Sequence, residues 1–180
     1  MPSKKRNKYV SEFGLSAYDA RVISDEINMA NFFEETVAKG VESKLASNWI
    51  TSDIVGYLKA NKLSFSDLKL SPENLAEMIS MISNNTISGK IAKEILPELI
   101  QKNISPKKLV EEKGLSMISD SSSILPIIDE LITEHPDEVQ AFRNGKTKLL
   151  GFFVGQLMKR TKGKADPKLA NKLLSEKLNN

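Results

Sequence analysis

The chain has 180 residues, of which 40% are hydrophobic and 27% charged, a composition that fits one soluble globular domain or two small ones. It contains no cysteine, which excludes disulfides, thiolate metal sites and a cysteine nucleophile. With a net charge of +3, no apolar run near the roughly 20 residues of a membrane span, and no apolar segment of a signal peptide after the basic N-terminus, the sequence predicts a soluble, cytoplasmic chain that does not enter a membrane.

The first half of the chain contains two amphipathic helical patterns. The segment SDEINMANFFEETVAKG predicts a helix that starts at Ser24 and ends at Gly40. The segment LASNWITSDIVGYLKAN predicts a second helix, because its apolar side chains recur at helical spacing. The apolar stripe of this second helix consists of Leu45, Trp49 and either Ile54 or Val55.

Three later helices are marked by a capping residue followed by proline. The capping side chain accepts a hydrogen bond from a free N–H group of the first turn, and proline fits the first helical position because no acceptor is available there for an N–H group. These pairs are Ser71–Pro72, Ser105–Pro106 and Asp166–Pro167. Gly114 is predicted to end the helix that Ser105 begins.

The remaining elements also follow helical patterns. A helix is predicted to start at Ser88, and Pro97 inside it predicts a break or kink near Leu96. Two further patterns, LPIIDELITEHP and PDEVQAFRNG, follow in the last third of the chain. Sustained alternation of polar and apolar residues, the pattern of a strand, is absent. We therefore predict an all-α protein.

Residues 115–123 differ in composition from the helical segments around them. They contain several serines and little periodic hydrophobicity, which is typical of a linker. An ordinary loop between two helices has the same composition. The interpretation as a linker divides the chain into a helical body and a helical tail.

Positive charge is concentrated in the tail. Residues 143–177 contain ten Lys or Arg against two acidic residues, a net charge of +8, whereas the other sixteen basic and twenty-one acidic residues give −5. Charge separated in this way predicts an anionic partner, either nucleic acid or an anionic membrane. A solvated lysine-rich surface would show the same pattern.

Residues that could catalyse a reaction or bind a metal are sparse. The one histidine, His135, precedes Pro136 between two predicted helices and is typical of a turn or capping residue. The SGK at residues 88–90 lacks the upstream glycine of a phosphate-binding loop, because Asn84 stands there, and Ile91 follows the lysine. The paired acidic residues, such as Glu34 and Glu35, are neighbours in sequence. On a helix their side chains point about 100° apart, so the two carboxylates do not converge on one site. We predict no catalytic residue and no metal site in this chain.

The segment LLGFFVGQLMKR predicts a helix with two different faces. One broad face is apolar, is predicted to be core, and consists of Leu149, Leu150, Phe153, Val154 and Leu157. Gly151 and Gly155 lie on the opposite side, flanked by Lys148 and Lys159. Each glycine lowers helix stability by about 1 kcal/mol relative to alanine. Two explanations stay open: a neighbouring helix packs on the glycines, or a lysine-edged groove admits a phosphate backbone.

Basic residues cluster where this helix meets the next one. The helix ends in more basic residues than one negative helix terminus needs, namely Lys159, Arg160, Lys162 and Lys164. The following helix begins at Pro167 and carries Lys168 and Lys172 on one face, near its own free N–H groups. Few aromatic residues accompany them, so stacking on single-stranded bases is not expected. The pattern favours recognition of a folded RNA through its shape and phosphates.

Several segments, taken in chain order, resemble one known family. They are PSKKRNKYVSEFGLSAYDARVI, LASNWITSDIVGYL, ISGKIAKEIL, EEKGLSMISD and LGFFVGQLMKRTKGKADPKLANKLLSEKL. They resemble the C-terminal region of the B subunit (GatB) of the aspartyl/glutamyl-tRNA amidotransferases. The last segment also resembles the stand-alone YqeY proteins. The resemblance covers nearly the whole chain.

The resemblance implies a helical body, a flexible joint and a small helical tail. The intact family enzyme is a ligase that amidates Glu-tRNA(Gln) or Asp-tRNA(Asn). Its B subunit activates the carboxylate with ATP and Mg²⁺ in an N-terminal domain, and its A subunit releases ammonia from glutamine. Both catalytic regions are missing from this chain, so the resemblance assigns it no catalytic residue and no cofactor. It implies binding of tRNA(Gln), tRNA(Asn) or both, and assembly with the A and C subunits in a heterotrimer.

The resemblance also gives the expected domains and contact residues. Residues 1–24 are expected to lead from the missing catalytic domain, 25–114 to form the helical body, 115–123 the hinge, and 124–180 the basic tail. The basic tail residues are the candidate tRNA contacts: Arg143, Lys146, Lys148, Lys159, Arg160, Lys162, Lys164, Lys168 and Lys172. The alternative is a stand-alone YqeY-like module whose Gly151/Gly155 face docks a protein helix.

Overall fold

The structure is a computed structural model that describes residues 2–118 and 121–180, without the side chain of Pro2. The named elements of these residues are helices, and the all-α prediction is confirmed. The chain forms two compact units. The first unit runs to Asn84 and also includes Gly89–Gly114, and the second comprises Asn85–Ser88 and Leu115–Asn180.

The first unit is built from short helices around one core. Its α-helices are α1 (Pro2–Ser11), α2 (Ala17–Ser24), α3 (Ile27–Ala38), α4 (Ser43–Asn48), α5 (Val55–Ala60), α6 (Pro72–Ser83), α7 (Gly89–Gln101) and α8 (Pro106–Lys113). A π-helical segment, Trp49–Ile54, joins α4 to α5, and a 3-10 turn, Phe65–Asp67, precedes α6. Fully buried side chains from several helices fill the core, among them Phe33, Ile50, Leu75, Ile95 and Leu99.

The predicted helix starts at Ser71 and Ser105 are confirmed. The Ser71 hydroxyl accepts a hydrogen bond from the N–H of Asn74 at 3.1 Å, and the Ser105 hydroxyl accepts one from Lys108 at 3.4 Å. Gly114 ends α8 in the left-handed conformation, with φ of +61°. These boundaries follow from local chemistry, which the sequence displays directly.

The predicted helix start at Ser24 is wrong. Ser24 is the last residue of α2, and its hydroxyl donates to the carbonyl of Arg21 at 3.2 Å. Glu26 caps α3 instead, because its carboxylate accepts from the N–H groups of Asn28 and Met29 at 3.1 and 2.9 Å. A carboxylate has two oxygens and therefore satisfies two of the free N–H groups that open a helix.

Of the break or kink predicted near Leu96, the break does not occur, because α7 continues through Pro97 from Gly89 to Gln101, and the kink stays a prediction. Proline removes one backbone hydrogen bond from a helix interior. Here the helix buries a long apolar face, which includes Ile91, Ile95 and Leu99. Burial of several such side chains stabilises a helix by several kcal/mol and outweighs the loss of one bond.

The segment from Leu45 to Leu58 is helical as predicted, with a change of register in its middle. The π-helical turn over Trp49–Ile54 adds a residue to the turn. Of the two alternatives for the apolar stripe, Ile54 is therefore the fully buried one and Val55 is half-buried, and Leu58 follows in the core.

A buried tyrosine fastens α1 to α3. The Tyr9 ring is fully buried, and its hydroxyl donates to Glu34 at 2.6 Å. Burial, together with the Glu34 carboxylate, raises the pKa of Tyr9. Burial also raises the pKa of Glu34, but hydrogen bonds from Tyr9 and Lys5 outweigh it and hold that pKa below its usual value. Residues 2–24 thus pack within the first unit. That residues 1–24 lead from a catalytic domain stays a prediction.

The second unit contains α9 (Ser121–Glu134), α10 (Pro136–Arg143), α11 (Leu149–Arg160) and α12 (Pro167–Asn179). α9, α11 and α12 pack on one another around a core of fully buried apolar side chains, including Ile128, Leu131, Phe153, Leu157 and Leu174. The predicted core face of α11 is confirmed, because Phe153 and Leu157 are buried and Leu149, Leu150 and Val154 pack against the same core.

Part of the predicted linker, 115–123, has regular structure. The N–H groups of Met117 and Ile118 donate to the carbonyls of Thr86 and Lys164 at 2.7 and 2.6 Å, and Ile118 forms an isolated parallel bridge with Ala165. Ser121 already begins α9, while Ser119 and Asp120 lie outside the described residues. The serine-rich composition did not reveal these bonds, because their partners are remote in sequence. The role of this segment as a hinge stays a prediction.

Candidate nucleic-acid interface

The basic residues predicted to contact RNA lie at both ends of α11 and along α12. The turn at residues 161–166 reverses the chain, so the end of α11 adjoins the start of α12. A helix of 12 residues is about 18 Å long. One group therefore precedes α11 and consists of Arg143, Lys146 and Lys148. The other lies at the end of α11, in the turn and on α12, and consists of Lys159, Arg160, Lys162, Lys164, Lys168 and Lys172.

The exposed side of α11 carries the two glycines between two of these lysines. Lys148, Gly151, Gly155 and Lys159 follow one another at helical spacing along one stripe, and all four are exposed. A Cβ atom added to either glycine would meet no atom within 4 Å outside the backbone of its own helix. No other described element of this chain covers the glycines. The first of the two explanations, packing of a neighbouring helix, is therefore not fulfilled within this chain.

Most of the candidate lysines are free of acidic partners. Six of them are exposed, and among the described residues none of these six ammonium groups lies within 4.0 Å of a carboxylate: Lys146, Lys148, Lys159, Lys162, Lys168 and Lys172. Lys164 is half-buried, and its backbone carbonyl receives the N–H of Ile118. An ammonium group without a protein partner can bind an external anion without first breaking an ion pair.

Arg160 differs from these lysines because it is held by α9. Its guanidinium donates to Glu130 Oε2 at 3.1 Å and also to the carboxylate of Glu134. These two acidic residues are four apart on α9 and thus share a face of the helix. The four-residue spacing of Glu130 and Glu134 is visible in the sequence, but only the tertiary contact identifies Arg160 as the partner of these two residues. An RNA phosphate would have to compete with both carboxylates for this side chain.

Two further basic residues hold the helices of the second unit together. Arg143 Nε donates to the carbonyl of Leu178 at 3.1 Å, which satisfies a free carbonyl near the end of α12. Lys177 pairs with Asp129 of α9 at 3.1 Å. Arg143 as a whole is nevertheless exposed.

The turn between α11 and α12 presents its lysines on a defined backbone. Lys162 and Gly163 both have positive φ, +53° and +76°. The buried hydroxyl of Thr161 donates to the carbonyl of Leu157 at 2.9 Å and accepts from the N–H of Ala165 at 3.3 Å. Asp166 then caps α12 through the N–H of Lys168 at 2.9 Å, as predicted. The turn is therefore fixed at both ends.

The other residues considered for chemistry have structural contacts. His135 lies at the N-cap position directly before α10, and its ring packs edge-on against Phe152 with the centroids 5.2 Å apart. Among the described residues, no group of three His, Cys, Asp or Glu side chains could hold a metal ion.

None of the described helices has the length and apolar character to cross a membrane.

A family profile and individual relatives both relate this chain to the same family. The profile of the GatB domain family, which also carries the YqeY name, matches residues 31–178. The chain is 90% identical over 179 residues to the B subunit of the aspartyl/glutamyl-tRNA(Asn/Gln) amidotransferase of Prochlorococcus marinus strain MIT 9312. It is 60% identical over 178 residues to the protein of the same name from Synechococcus sp. strain CC9605.

These alignments cover 99% of this chain and 36% of each relative. The chain thus spans about a third of the length of the curated relatives that it matches. The match to the family profile, over residues 31–178, covers nearly all of the first unit beyond α2 and nearly all of the second unit. The resemblance found in the sequence segments is therefore confirmed, and the chain belongs to the GatB family of aspartyl/glutamyl-tRNA amidotransferase B subunits.

Proposed function

We propose that this chain is the tRNA-binding portion of an amidotransferase B subunit. It holds tRNA(Gln), tRNA(Asn) or both, while the ATP-dependent conversion to Gln-tRNA(Gln) or Asn-tRNA(Asn) is carried out by other parts of the same protein and by its A and C partners. The chain alone is then a non-catalytic binding module of a cytoplasmic ligase. The relatives' name, which contains the tRNA and the amidotransferase activity, supports the substrate class.

The observation that carries the proposal is the surface of the α11–α12 pair. In the described part of the chain, exposed lysines with no carboxylate within 4.0 Å border a stretch of α11 that carries Gly151 and Gly155. A Cβ added to either glycine would meet no described atom within 4 Å outside the backbone of its own helix. With no side chain on the helix at these points, a phosphate backbone can approach the main chain while Lys148 and Lys159 reach it from either end. Contacts of this kind read the shape and charge of a folded RNA rather than its base sequence.

Direct binding of tRNA tests the proposal. The native chain is compared with a variant in which Lys148, Lys159, Lys162 and Lys168 are replaced by alanine. A control variant carries the same replacement at four exposed lysines of the first unit: Lys4, Lys59, Lys69 and Lys107. We expect the first variant to bind tRNA at least about tenfold more weakly, and the control variant to stay close to the native chain. Equal losses in both variants would reject the α11–α12 surface as the site.

The uncovered glycine face also favours a second function, docking of a helix from a protein partner. Small residues allow two helix backbones to approach closely, so bulky side chains there would block such docking. Replacement of Gly151 and Gly155 by leucine would then abolish assembly with the other subunits, while removal of the flanking lysine charges would leave assembly intact. The opposite pattern, with assembly retained and tRNA binding lost, supports the RNA-binding function.

A further inference from the structure

The end of α11 holds a lysine in a backbone conformation that glycine usually takes. Lys162 follows the C-terminal cap of the helix, Thr161, and has a φ of +53°. Its N–H donates to the carbonyl of Lys159 at 3.2 Å, and the N–H of Gly163 donates to that of Met158 at 2.7 Å. These two bonds form a Schellman motif, which favours glycine at the position of Lys162 because a Cβ atom there crowds the following carbonyl oxygen. Other contacts of the turn must therefore hold the lysine in this conformation.

Thr161 supplies one of these contacts through its side chain. The residue is buried, and its hydroxyl donates to the carbonyl of Leu157 at 2.9 Å. The same oxygen accepts from the N–H of Ala165, a fully buried residue, at 3.3 Å. The hydroxyl thus joins the last turn of α11 to the residue directly before Asp166, the cap of α12. Residues 162–164 lie between its two partners.

The opposite side of the turn is held by backbone bonds to Ile118. Its N–H donates to the carbonyl of Lys164 at 2.6 Å, and its carbonyl accepts from the N–H of Asp166 at 3.0 Å. The backbone around Lys162 is therefore attached through Thr161 on one side and through Ile118 on the other. Ile118 acts through its main chain, which a substitution leaves in place, whereas a single substitution removes the hydroxyl of Thr161. Thr161 is therefore the contact that a mutation can test.

A lysine of the first unit has the same conformation in a different setting. Lys62 follows α5 with a φ of +56° and takes part in the same two backbone bonds, at 3.2 and 2.8 Å. The residue before it, Asn61, is exposed and donates to the carbonyl of Tyr57 in the same helix. Thr161, in contrast, also accepts from Ala165 on the far side of its turn. The strained backbone alone does not mark a binding residue, and Lys62 provides a matched control.

We propose that Thr161 is a positioning residue for tRNA binding, which holds Lys162 where it meets a phosphate of the RNA. This role rests on the proposed function, because it requires tRNA to bind the α11–α12 surface. Lys162 is exposed, and among the described residues no carboxylate lies within 4.0 Å of its ammonium group. A lysine loses conformational freedom when it binds a phosphate, and a backbone that is fixed in advance reduces this loss. Thr161 thus strengthens binding without touching the RNA.

A double-mutant cycle of tRNA affinities tests this role. Thr161→Val keeps the shape of the side chain and removes the hydroxyl, whereas Thr161→Ser keeps the hydroxyl. We expect Thr161→Val to weaken tRNA binding about fivefold and Thr161→Ser to bind like the native chain. In the Thr161→Val background, Lys162→Ala should cause little further loss, while Lys148→Ala, at the other end of α11, should cause the same loss as in the native chain. Equal coupling of Thr161 to both lysines would indicate a general loss of structure and would overturn the positioning role.

Glycine substitutions give a second test, which does not depend on the folding of Thr161→Val. Lys162→Gly and Lys62→Gly should both raise the urea midpoint of unfolding, because glycine relieves the strain of the positive φ. Lys162→Gly should nevertheless weaken tRNA binding severalfold, while Lys62→Gly should leave it unchanged. Unchanged affinity of Lys162→Gly, or an equal loss in Lys62→Gly, would overturn the proposal.

Failure of this role is distinguishable from failure of the proposed function. If the variant with alanine at four lysines of the α11–α12 surface binds tRNA as tightly as the native chain, that surface is not the site and both proposals fail. If this variant loses affinity while a folded Thr161→Val binds like the native chain, the surface stands and the role of Thr161 is rejected. Circular dichroism spectra of each variant verify that it is folded.

Discussion

The two units of this protein carry almost the same net charge but use their basic residues differently. The first unit has sixteen basic and fifteen acidic residues, and the second has ten and eight, so their net charges are +1 and +2. Among the described residues of the first unit, eight basic side chains lie within 4.0 Å of a carboxylate: Lys5, Arg6, Arg21, Lys39, Lys93, Lys102, Lys108 and Lys113. In the described part of the second unit, Lys177 and Arg160 do so. The difference between the units is therefore in pairing, not in net charge.

This difference shows why the strong charge of residues 143–177 needs structural context. The acidic residues of α9 and α10 belong to the same unit as the basic α11–α12 pair and balance much of its charge. Those of α9 pair with Arg160 and Lys177. In the described part of the chain, the exposed Lys159, Lys168 and Lys172 have no carboxylate within 4.0 Å. Exposed ion pairs contribute only about 0–1 kcal/mol to stability. What they determine here is which cations are available to a ligand.

The largest expected effect on stability comes from the core that supports the basic surface. Leu157→Ala removes a fully buried side chain of α11 and should lower the free energy of unfolding by about 2–5 kcal/mol. Leu99→Ala is the matched change in the core of the first unit. Urea denaturation gives the loss, and amide exchange locates it. We expect Leu157→Ala to reduce protection mainly in α9–α12. A loss spread evenly over both units would contradict the division into two cores.

A smaller effect, with opposite signs on two measurements, is expected at the glycines. Gly151→Ala and Gly155→Ala should each raise the free energy of unfolding by up to about 1 kcal/mol, because alanine favours the helix and its Cβ meets no other atom. The same changes should weaken tRNA binding severalfold if the phosphate backbone approaches the helix at these points. Unfolding curves and binding isotherms of the same variants check both. Higher stability with unchanged affinity would show that RNA does not use this face.

The helix of residues 149–160 illustrates how far the sequence reaches. Its apolar positions predicted the core face, and Asp166 and Pro167 predicted the start of the next helix, because spacing and capping are local properties. The sequence could not show whether another helix covers Gly151 and Gly155, because that depends on where every other helix packs. The same applies to Arg160, whose spacing along the chain gives no sign of Glu130 and Glu134. The sequence identifies the candidate lysines, but whether each is free to bind a phosphate depends on which side chains the tertiary structure places next to it.

The first unit shows the same limit. Capping serines were predicted correctly where proline followed them, but Ser24 competed with the nearby Glu26, and local preference did not decide between them. Pro97 is tolerated because of apolar burial that extends along the whole of α7.

A comparison of Arg160→Ala with Lys159→Ala tests whether a basic residue paired with carboxylates contributes less to tRNA binding than an unpaired one. The expected effect of Arg160→Ala is modest. We expect the free energy of unfolding to fall by no more than about 1 kcal/mol, because the Glu130 and Glu134 contacts are exposed ion pairs. We expect tRNA affinity to change less than it does in Lys159→Ala, its neighbour without an acidic partner. Side-by-side binding measurements at one salt concentration check this order. A larger loss for Arg160→Ala would mean that RNA releases this side chain from α9.

The smallest expected effect concerns the paired charges of the first unit. The pKa of Glu34 lies below its usual value of 4.5, so its contribution to stability is present above that pH and is lost as the pH falls through the lowered pKa. Glu34→Gln should remove this part of the acid dependence and lower stability slightly at neutral pH. Unfolding measured from neutral to acidic pH checks it. Parallel curves for both proteins would contradict the Tyr9–Glu34–Lys5 contact.

The salt dependence of tRNA binding tests the central claim most directly. If Lys148, Lys159, Lys162 and Lys168 each neutralise one phosphate, removal of all four should make the slope of log K against log salt shallower by about 3. The control variant at Lys4, Lys59, Lys69 and Lys107 should keep the native slope. An unchanged slope in the first variant, or an equal change in the control, would contradict a binding surface made of the unpaired lysines of α11 and α12.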